Sequence, residues 1–524
     1  MIFNFFISKF FLIFLFPFIL GALTVFSFQP FNYNYINFFI IPALFLVTTY
    51  VQKKSKNKYR KKPYLLNLFL IGYLFGIGYF LTGTNWISHS LTFDENFKFL
   101  IPVSIISLPL FLGIFFGLGN LIVGPFLRNN FVSILFFSSS LAFMDFLRAK
   151  IFTGFPWNLW AYTWSWLPDT LQLLPVLGFF SFNFFCIVIY CSPLLLIFQK
   201  KLGYTTFILM AVIFFGNYIY GNSIIKKNNE HLSTMQLNSK NSIFTKIVSP
   251  SFDLKYNLSN NDISKNILKL IKYSAPEKDK KTLFVWPEGI FTGFNFQQIT
   301  QYKFMFEEAF SDNHLILFGI NTVQKKQDNN QVFNSLVITN NKLDILFKYD
   351  KIKLVPFGEF LPFENILSNL GIKKITEGYG SFSNGENSNI FLLNGMKLLP
   401  LICYEIIFPE LSRNPNQKNL IVNISEDAWF GDTIGPNQHL AKAVFRAIES
   451  NVFLIRSANK GFSVFIDNKG TLKKILKPNE IGNIELNVPF INSAQIKYKI
   501  DLIFFTLLFT CALIFIIYYK NKNE

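Results

Sequence analysis

Along the first 220 residues long apolar runs alternate with short polar segments, and the pattern returns once near the C-terminus. Runs long enough to cross a bilayer, or nearly so, occupy residues 7–25, 34–51, 64–83, 100–126, 131–147, 171–198, 203–219 and 501–518. They predict a multi-pass α-helical membrane bundle of about eight spans, seven within 1–219 and the last within 500–524. The first run, FFISKFFLIFLFPFILGALTVF, lacks a clean small-residue cleavage site and is followed by further spans, so it reads as a retained helix.

Between 220 and 499 the apolar runs shorten and polar turns separate them. TLFVW (282–286), HLILFGI (314–320), VFNSLVIT (332–339), MKLLPLICY (396–404), NLIVNI (419–424), NVFLIRSA (451–458) and GFSVFID (461–467) predict strands. DISKNILKLIKYS (262–274) has helical spacing, and PNQHLAKAVFRAIES (436–450) opens on a proline suited to a first helical turn. Strands that stay apolar on both faces while alternating with helices imply sheets covered by helices, an α/β sandwich whose strand order the pattern leaves open.

Composition fits this division. Apolar residues make up 51% of the chain against 15% charged, too apolar for an ordinary soluble protein. The formal charge of +18 invites a nucleic-acid reading centred on KKSKNKYRKK at 53–62, but that cluster lies between two apolar runs, where a loop facing anionic lipid is the simpler account. No nucleic-acid partner is expected. With the N-terminus inside, Lys9, Lys53 to Lys62, Arg128, Lys200, Lys201, Lys520 and Lys522 all fall on the cytoplasmic side, against Lys98, Arg148 and Lys150 outside. Residues 220–499 are then extracytoplasmic. The stretch GFPWNLWAYTWSWLPD (154–169), with Trp157, joins two spans on that same side. It suits either an interfacial aromatic belt or the floor of an active site that admits lipid chains. Asp145 and His89 lie close to the same boundary, where solvation would satisfy them.

Three of the four cysteines, Cys186, Cys191 and Cys511, sit in apolar spans, where a thiol behaves as a small hydrophobe. Cys403 alone lies in the soluble stretch, so no disulfide framework is available to it there and a free thiol is left to explain. The histidines are His89, His231, His314 and His439, and only His439 offers a Cys-His pair. Carboxylates fit better. Glu288 follows the strand TLFVW across Pro287, Lys351 ends the strand ILFKYDK, and Cys403 ends another, so the three can meet at one sheet edge. A carboxylate beside the thiol can take its proton, and an ammonium can favour the thiolate and an oxyanion, together with a backbone amide near Tyr404. Glu359 can hold the lysine, and Glu405 can bias local charge or serve as a second base.

These residues resemble the nitrilase, or carbon-nitrogen hydrolase, superfamily, and with this membrane pattern its apolipoprotein N-acyltransferase branch. WPEG (286–289), YDKIKLVPFGEFLP (349–362) and CYEI (403–406) are similar to the family's Glu, Lys and Cys motifs. DAWFG (427–431), IGPNQH (434–439), RSANKG (456–461) and GFPWNLW (154–160) are similar to further blocks. The resemblance implies a four-layer αββα sandwich over 220–499, with Glu288 as base, Lys351 as stabilising cation and Cys403 as nucleophile, supported by Glu359, Tyr404 and Glu405. Tyr256, Trp157 and Trp429 are candidate substrate-loop residues. Two departures stand out, Lys255-Tyr256 where the family often has Lys-Trp, and Glu426 where Asn is common.

The resemblance further implies a monomeric enzyme of the bacterial inner membrane that needs no cofactor or metal. Its acyl donor would be a phospholipid, usually the sn-1 chain of phosphatidylethanolamine, and its acceptor the N-terminal amine of a diacylglyceryl apolipoprotein. A membrane-tethered amidase using the same trio with water is the rival enzyme. A transporter or scaffold would call for ionisable residues deep in several helices, and these are sparse.

Overall fold

In the computed structural model the residues described are 8–58, 63–198, 200–236, 241–255, 258–326, 329–364, 381–386, 389–413, 418–492 and 500–521. Tyr256, Lys522 and residues 59–62 of the basic cluster lie outside them. The chain separates into two compact units, one of residues 1–89, 99–224 and 496–524, the other of 90–98 and 225–495.

The first unit is helical. Among the described residues six helices are long and apolar enough to cross a membrane: Asn34–Lys54, Tyr64–Gly83, Glu95–Phe126, Phe131–Lys150, Lys201–Met235 and Asp501–Asn521. The first and sixth expected runs form shorter apolar helices, Phe11–Ser27 and Phe179–Cys191. Phe11–Leu15 is wound as a π-helix and Thr24–Ser27 as a 3₁₀-helix, while Gly178 at φ 76° starts Phe179–Cys191 late. Conversely, Lys200–Gln236 is one helix of 37 residues, so the expected boundary at 219 falls inside it.

Asp145 is not solvated, contrary to the sequence reading. It is buried and paired with Arg148 at 2.9 Å, and its other oxygen accepts from Asn183 Nδ2 at 3.0 Å. Arg148 also donates to the carbonyls of Phe155 (2.7 Å) and Trp157 (2.8 Å), and Asn183 accepts the Ala161 N–H at 3.0 Å. A buried charge persists in an apolar bundle only when partnered, and here the partners pin the aromatic loop. Trp157 belongs to this packing, 1% exposed and 4.7 Å from the Trp86 ring.

Among the described residues the second unit holds two six-stranded sheets. We label its strands β1 (Ser242–Ser249), β2 (Thr282–Val285), β3 (His314–Lys326), β4 (Asn329–Thr339), β5 (Ile345–Asp350), β6 (Phe391–Leu393), β7 (Met396–Ile402), β8 (Leu420–Glu426), β9 (Phe453–Asn459), β10 (Ser463–Ile466), β11 (Leu472–Leu476) and β12 (Gly482–Pro489). One sheet runs β12-β1-β2-β3-β4-β5 and the other β11-β10-β9-β8-β7-β6. Two helices matter below, α1 (Asn260–Ser274) and α2 (Gly435–Ser450).

Alternation along each strand builds the layers. On β2, Leu283 and Val285 face a core shared with Ile402, Val422, Ile424 and Ile455 of the second sheet. Phe284 and Trp286 point the other way, against Ile263, Ile267 and Leu270 of α1. That helix buries one stripe at i, i+4 and i+7 and is capped by reciprocal bonds between Ser259 and Asp262. Helix α2 packs on β9 and β10, which gives layers in the order helix, sheet, sheet, helix.

Candidate functional site

Register brings the candidate residues together. Val285 pairs with Leu317, and Ile320, three residues on, lies across from Ser335, which in turn pairs with Asp350. Glu288, three residues past Val285, and Lys351, one past Asp350, therefore emerge at the same level of the first sheet. In the second sheet β7, β8 and β9 are parallel, so Cys403, Glu426 and Asn459 share one edge.

The first sheet supplies a cation between two carboxylates. Lys351 is 1% exposed, and its Nζ donates to Glu359 Oε1 at 2.9 Å and lies 3.8 Å from Glu288 Oε1. Asn334 Nδ2 donates to both carboxylates, at 2.7 Å each. The second oxygen of Glu288 accepts the Glu426 N–H (3.0 Å), and that of Glu359 accepts the Val355 N–H (2.8 Å). Burial raises the Glu288 pKa; Lys351 opposes this and Glu359 reinforces it. Burial disfavours the Lys351 charge, yet Glu359 and Glu288 outweigh it and hold the ammonium above the ordinary lysine range. A carboxylate of raised pKa beside a fixed cation is suited to proton transfer next to a developing negative charge.

Cys403 opens a 3₁₀ turn, half-buried, with its backbone at φ 47°. Burial and then the Glu288 carboxylate push its thiol up, against the pull of Lys351, so the thiol is protonated at rest and requires a base. Tyr404 packs edge-on against Phe408 at 5.1 Å, and burial raises its phenol.

Glu405 is buried and its carboxylate is taken up by structure. It accepts the N–H groups of Ile352 (2.7 Å), Lys353 (3.1 Å) and Ile402 (2.8 Å), and the Tyr349 hydroxyl at 2.9 and 3.0 Å. One side chain thus ties the turn after Lys351 to the strand end that carries Cys403. This occupancy suits an anchor better than a second base. Trp429 meets the Phe93 ring at 5.3 Å, within the same unit.

His439 approaches Cys403 at its backbone: Nε2 lies 3.3 Å from the Cys403 carbonyl oxygen. Its Nδ1 faces Arg456 Nη2 (2.9 Å) and Asp427 Oδ1 (3.1 Å). Burial and Arg456 lower its pKa to about 4, so the ring is neutral. This contact with Cys403 is to the backbone carbonyl, not to the thiol that a Cys-His pair would use.

A curated relative from Allorhizobium ampelinum, an apolipoprotein N-acyltransferase, is 32% identical over 431 residues, covering 80% of this chain and 79% of that protein. The chain belongs to the apolipoprotein N-acyltransferase family. Another apolipoprotein N-acyltransferase, from Brucella melitensis, is 29% identical over 488 residues and covers 90% of this chain and 89% of its own. The model of the apolipoprotein N-acyltransferase N-terminal domain matches residues 20–192, and that of the carbon-nitrogen hydrolases matches 248–498. Among solved structures, an amidase from Nesterenkonia sp. is similar at 15% identity and a TM-score of 0.36, covering 50% of this chain and 95% of that one.

For this member of the apolipoprotein N-acyltransferase family, the sequence reading missed Asn334, which sits inside an apolar strand. The available signal was a polar side chain in a strand buried on both faces, which must find partners. Glu426 was noticed only as a departure. It is buried, its carboxylate accepts from Asn459 Nδ2 (3.1 and 2.8 Å) and the Ala428 N–H (3.0 Å), and burial keeps it well above the carboxylate range. Asn459 in turn exchanges hydrogen bonds with the Phe252 backbone at 2.8 and 2.9 Å.

Proposed function

We propose that this protein transfers an acyl chain from a phospholipid, through a Cys403 thioester, to the N-terminal amine of a diacylglyceryl apolipoprotein. The observation that carries the reading is the meeting of Lys351 with Glu288 and Glu359 beside the Cys403 turn, in a chain of this family. In the first half, Glu288 takes the Cys403 proton, the sulfur bonds to the ester carbonyl carbon, and negative charge gathers on the oxygen near Lys351. The carbon–oxygen bond then breaks, and the leaving lysophospholipid takes the proton from Glu288. In the second half the acceptor amine attacks the thioester and loses its proton to Glu288. The carbon–sulfur bond breaks, and the thiolate recovers the proton. Covalent catalysis thereby splits one amide synthesis into two acyl exchanges.

The donor is the sn-1 chain of phosphatidylethanolamine. Glu359 holds Lys351, and Glu405 holds the two loops in register. On this reading the chain crosses an inner membrane eight times with its N-terminus in the cytoplasm, and residues 220–499 lie outside, where both lipid-anchored substrates are; the six long and two shorter apolar helices and the excess of Lys and Arg in the inner loops support it.

Purified full-length protein mixed with defined phospholipid should gain one acyl mass on Cys403 and pass it to a diacylated peptide. Cys403→Ala should insert normally and show neither step. Transfer retained by that variant would sink the reading, and release of the acyl group to water alone would favour an amidase-type hydrolase.

A further inference from the structure

Cys403 has a backbone conformation that non-glycine residues rarely adopt, with φ 47°, so something outside the turn must hold it. A fully buried group stands at its carbonyl. His439, on α2, puts Nε2 3.3 Å from the Cys403 oxygen. The carbonyl can only accept, so a hydrogen bond there requires the hydrogen on Nε2, and the neutral ring then presents a bare Nδ1 to Arg456 Nη2 at 2.9 Å. Asp427 Oδ1, 3.1 Å from the same Nδ1, is the acceptor that would draw the hydrogen the other way, and it is already occupied by Arg456 and Ser425. Asp427 fixes that arginine at 2.8 Å and accepts from Ser425 at 2.7 Å. Arg456 also donates to Asn423, its register partner on β8. The groups facing the imidazole are therefore Asp427, Arg456, the Phe430 ring at 5.3 Å, the Cys403 carbonyl, and Lys442 on its own helix.

We propose that His439 is a positioning residue: its Nε2–H holds the Cys403 carbonyl and so aims the Tyr404 N–H of the same peptide at the reacting carbonyl oxygen. The step from one to the other is geometric. A trans peptide is planar, with its C=O and N–H pointing in opposite directions, so fixing the oxygen fixes the amide hydrogen. Donation to the carbonyl also polarises the amide and strengthens it as a donor. The role differs from that of a base, because the Nε2–H is directed at the backbone carbonyl and the Nδ1 lone pair is taken by Arg456.

The inference rests on the reading of Cys403 as nucleophile, and the test separates the two. Full-length protein in detergent is treated with iodoacetamide or with phospholipid, and both products are followed at Cys403 by mass spectrometry. Alkylation forms no oxyanion, whereas thioester formation does. His439→Leu should slow thioester formation by about 10- to 100-fold, the scale of a small misplacement at a reacting centre, while alkylation changes much less. His439→Gln, which can still donate to the carbonyl, should recover most of the rate. A His439→Leu rate within twofold of the parent, an equal fall in both reactions, or no recovery in His439→Gln overturns the proposal. Should the leucine variant fail to fold, the parent decides: ¹⁵N-histidine spectra should find His439 neutral with its proton on Nε2, and a proton on Nδ1 or an imidazolium overturns it. A parent that alkylates yet never forms a thioester would refute the function and leave the tautomer result standing.

Discussion

Asn334 Nδ2 stands 2.7 Å from Glu288 Oε1, and the same nitrogen stands 2.7 Å from Glu359 Oε1. An amide nitrogen has two hydrogens, so each carboxylate receives one, and the two like charges beside Lys351 are separated by a neutral donor. Asn334→Ala removes both bonds at once. We expect kcat for acyl transfer to fall roughly 10- to 100-fold, the range of an impaired acid–base group, with stability lowered by about 2 kcal/mol for lost bonds to charged acceptors. Asn334→Asp should be worse, because a third carboxylate crowds one lysine. Steady-state transfer to a diacylated peptide, with chemical unfolding alongside, checks both, and equal activity in the two variants would refute the account.

Glu405 offers a contrast, since its bonds run to backbone. Glu405→Gln presents an NH₂ group to N–H donors that now face an oxygen, leaving at least one buried amide unpaired. The expected loss of stability is on the order of 3 kcal/mol. Tyr349→Phe removes only the hydroxyl and should cost about 1 kcal/mol. Denaturant midpoints of the full-length protein test the ranking, and a glutamine variant as stable as the parent would contradict the anchor role.

Gly289 is a position beside the site where a side chain has no room. Its φ is 76°, and a methyl group there would collide with Glu426 Oε2, which Asn459 Nδ2 holds while the Ala428 N–H holds the other oxygen of the same carboxylate. The backbone alone makes Gly289→Ala cost about 1–3 kcal/mol, and the contact adds to that. Shortening the neighbour should return the second part, so the alanine should cost less in a Glu426→Ala background. A double-mutant cycle on unfolding free energies measures this coupling, and strict additivity would show that the contact relaxes freely.

What the sequence made legible follows from which physics is local. Period and composition placed TLFVW, NLIVNI and the α1 helix, because each buries faces that its own residues define. β1 and β12 went unseen, since IFTKIVS and GNIELNVP mix polar and apolar residues, and their antiparallel pairing, Ile247 with Ile484, joins residues far apart in the chain. Glu288, Lys351 and Cys403 were legible as strand-end residues, whereas Asn334 and Arg456 were not. Their meaning comes from register across neighbouring strands, which no single segment contains.

Stability should depend on pH through His439. Its ordinary pKa of 6.5 falls to about 4 on folding, because burial and then Arg456 disfavour its charge. Between these values the unfolded chain binds more protons than the folded one, so stability rises with pH across that interval. The contribution is fully present above about 6.5 and is lost as pH falls toward about 4, the window set by the two values. Glu288 and Glu426, with raised pKa values, act in the opposite sense, because their folded forms hold the extra protons. A bare pH profile therefore mixes the signs, and a difference is needed. Unfolding free energies of the parent and His439→Gln, measured from pH 4 to 7, should converge toward the acid end, since the glutamine cannot take up the proton. A constant gap across that range would mean that the imidazole does not titrate between the two states.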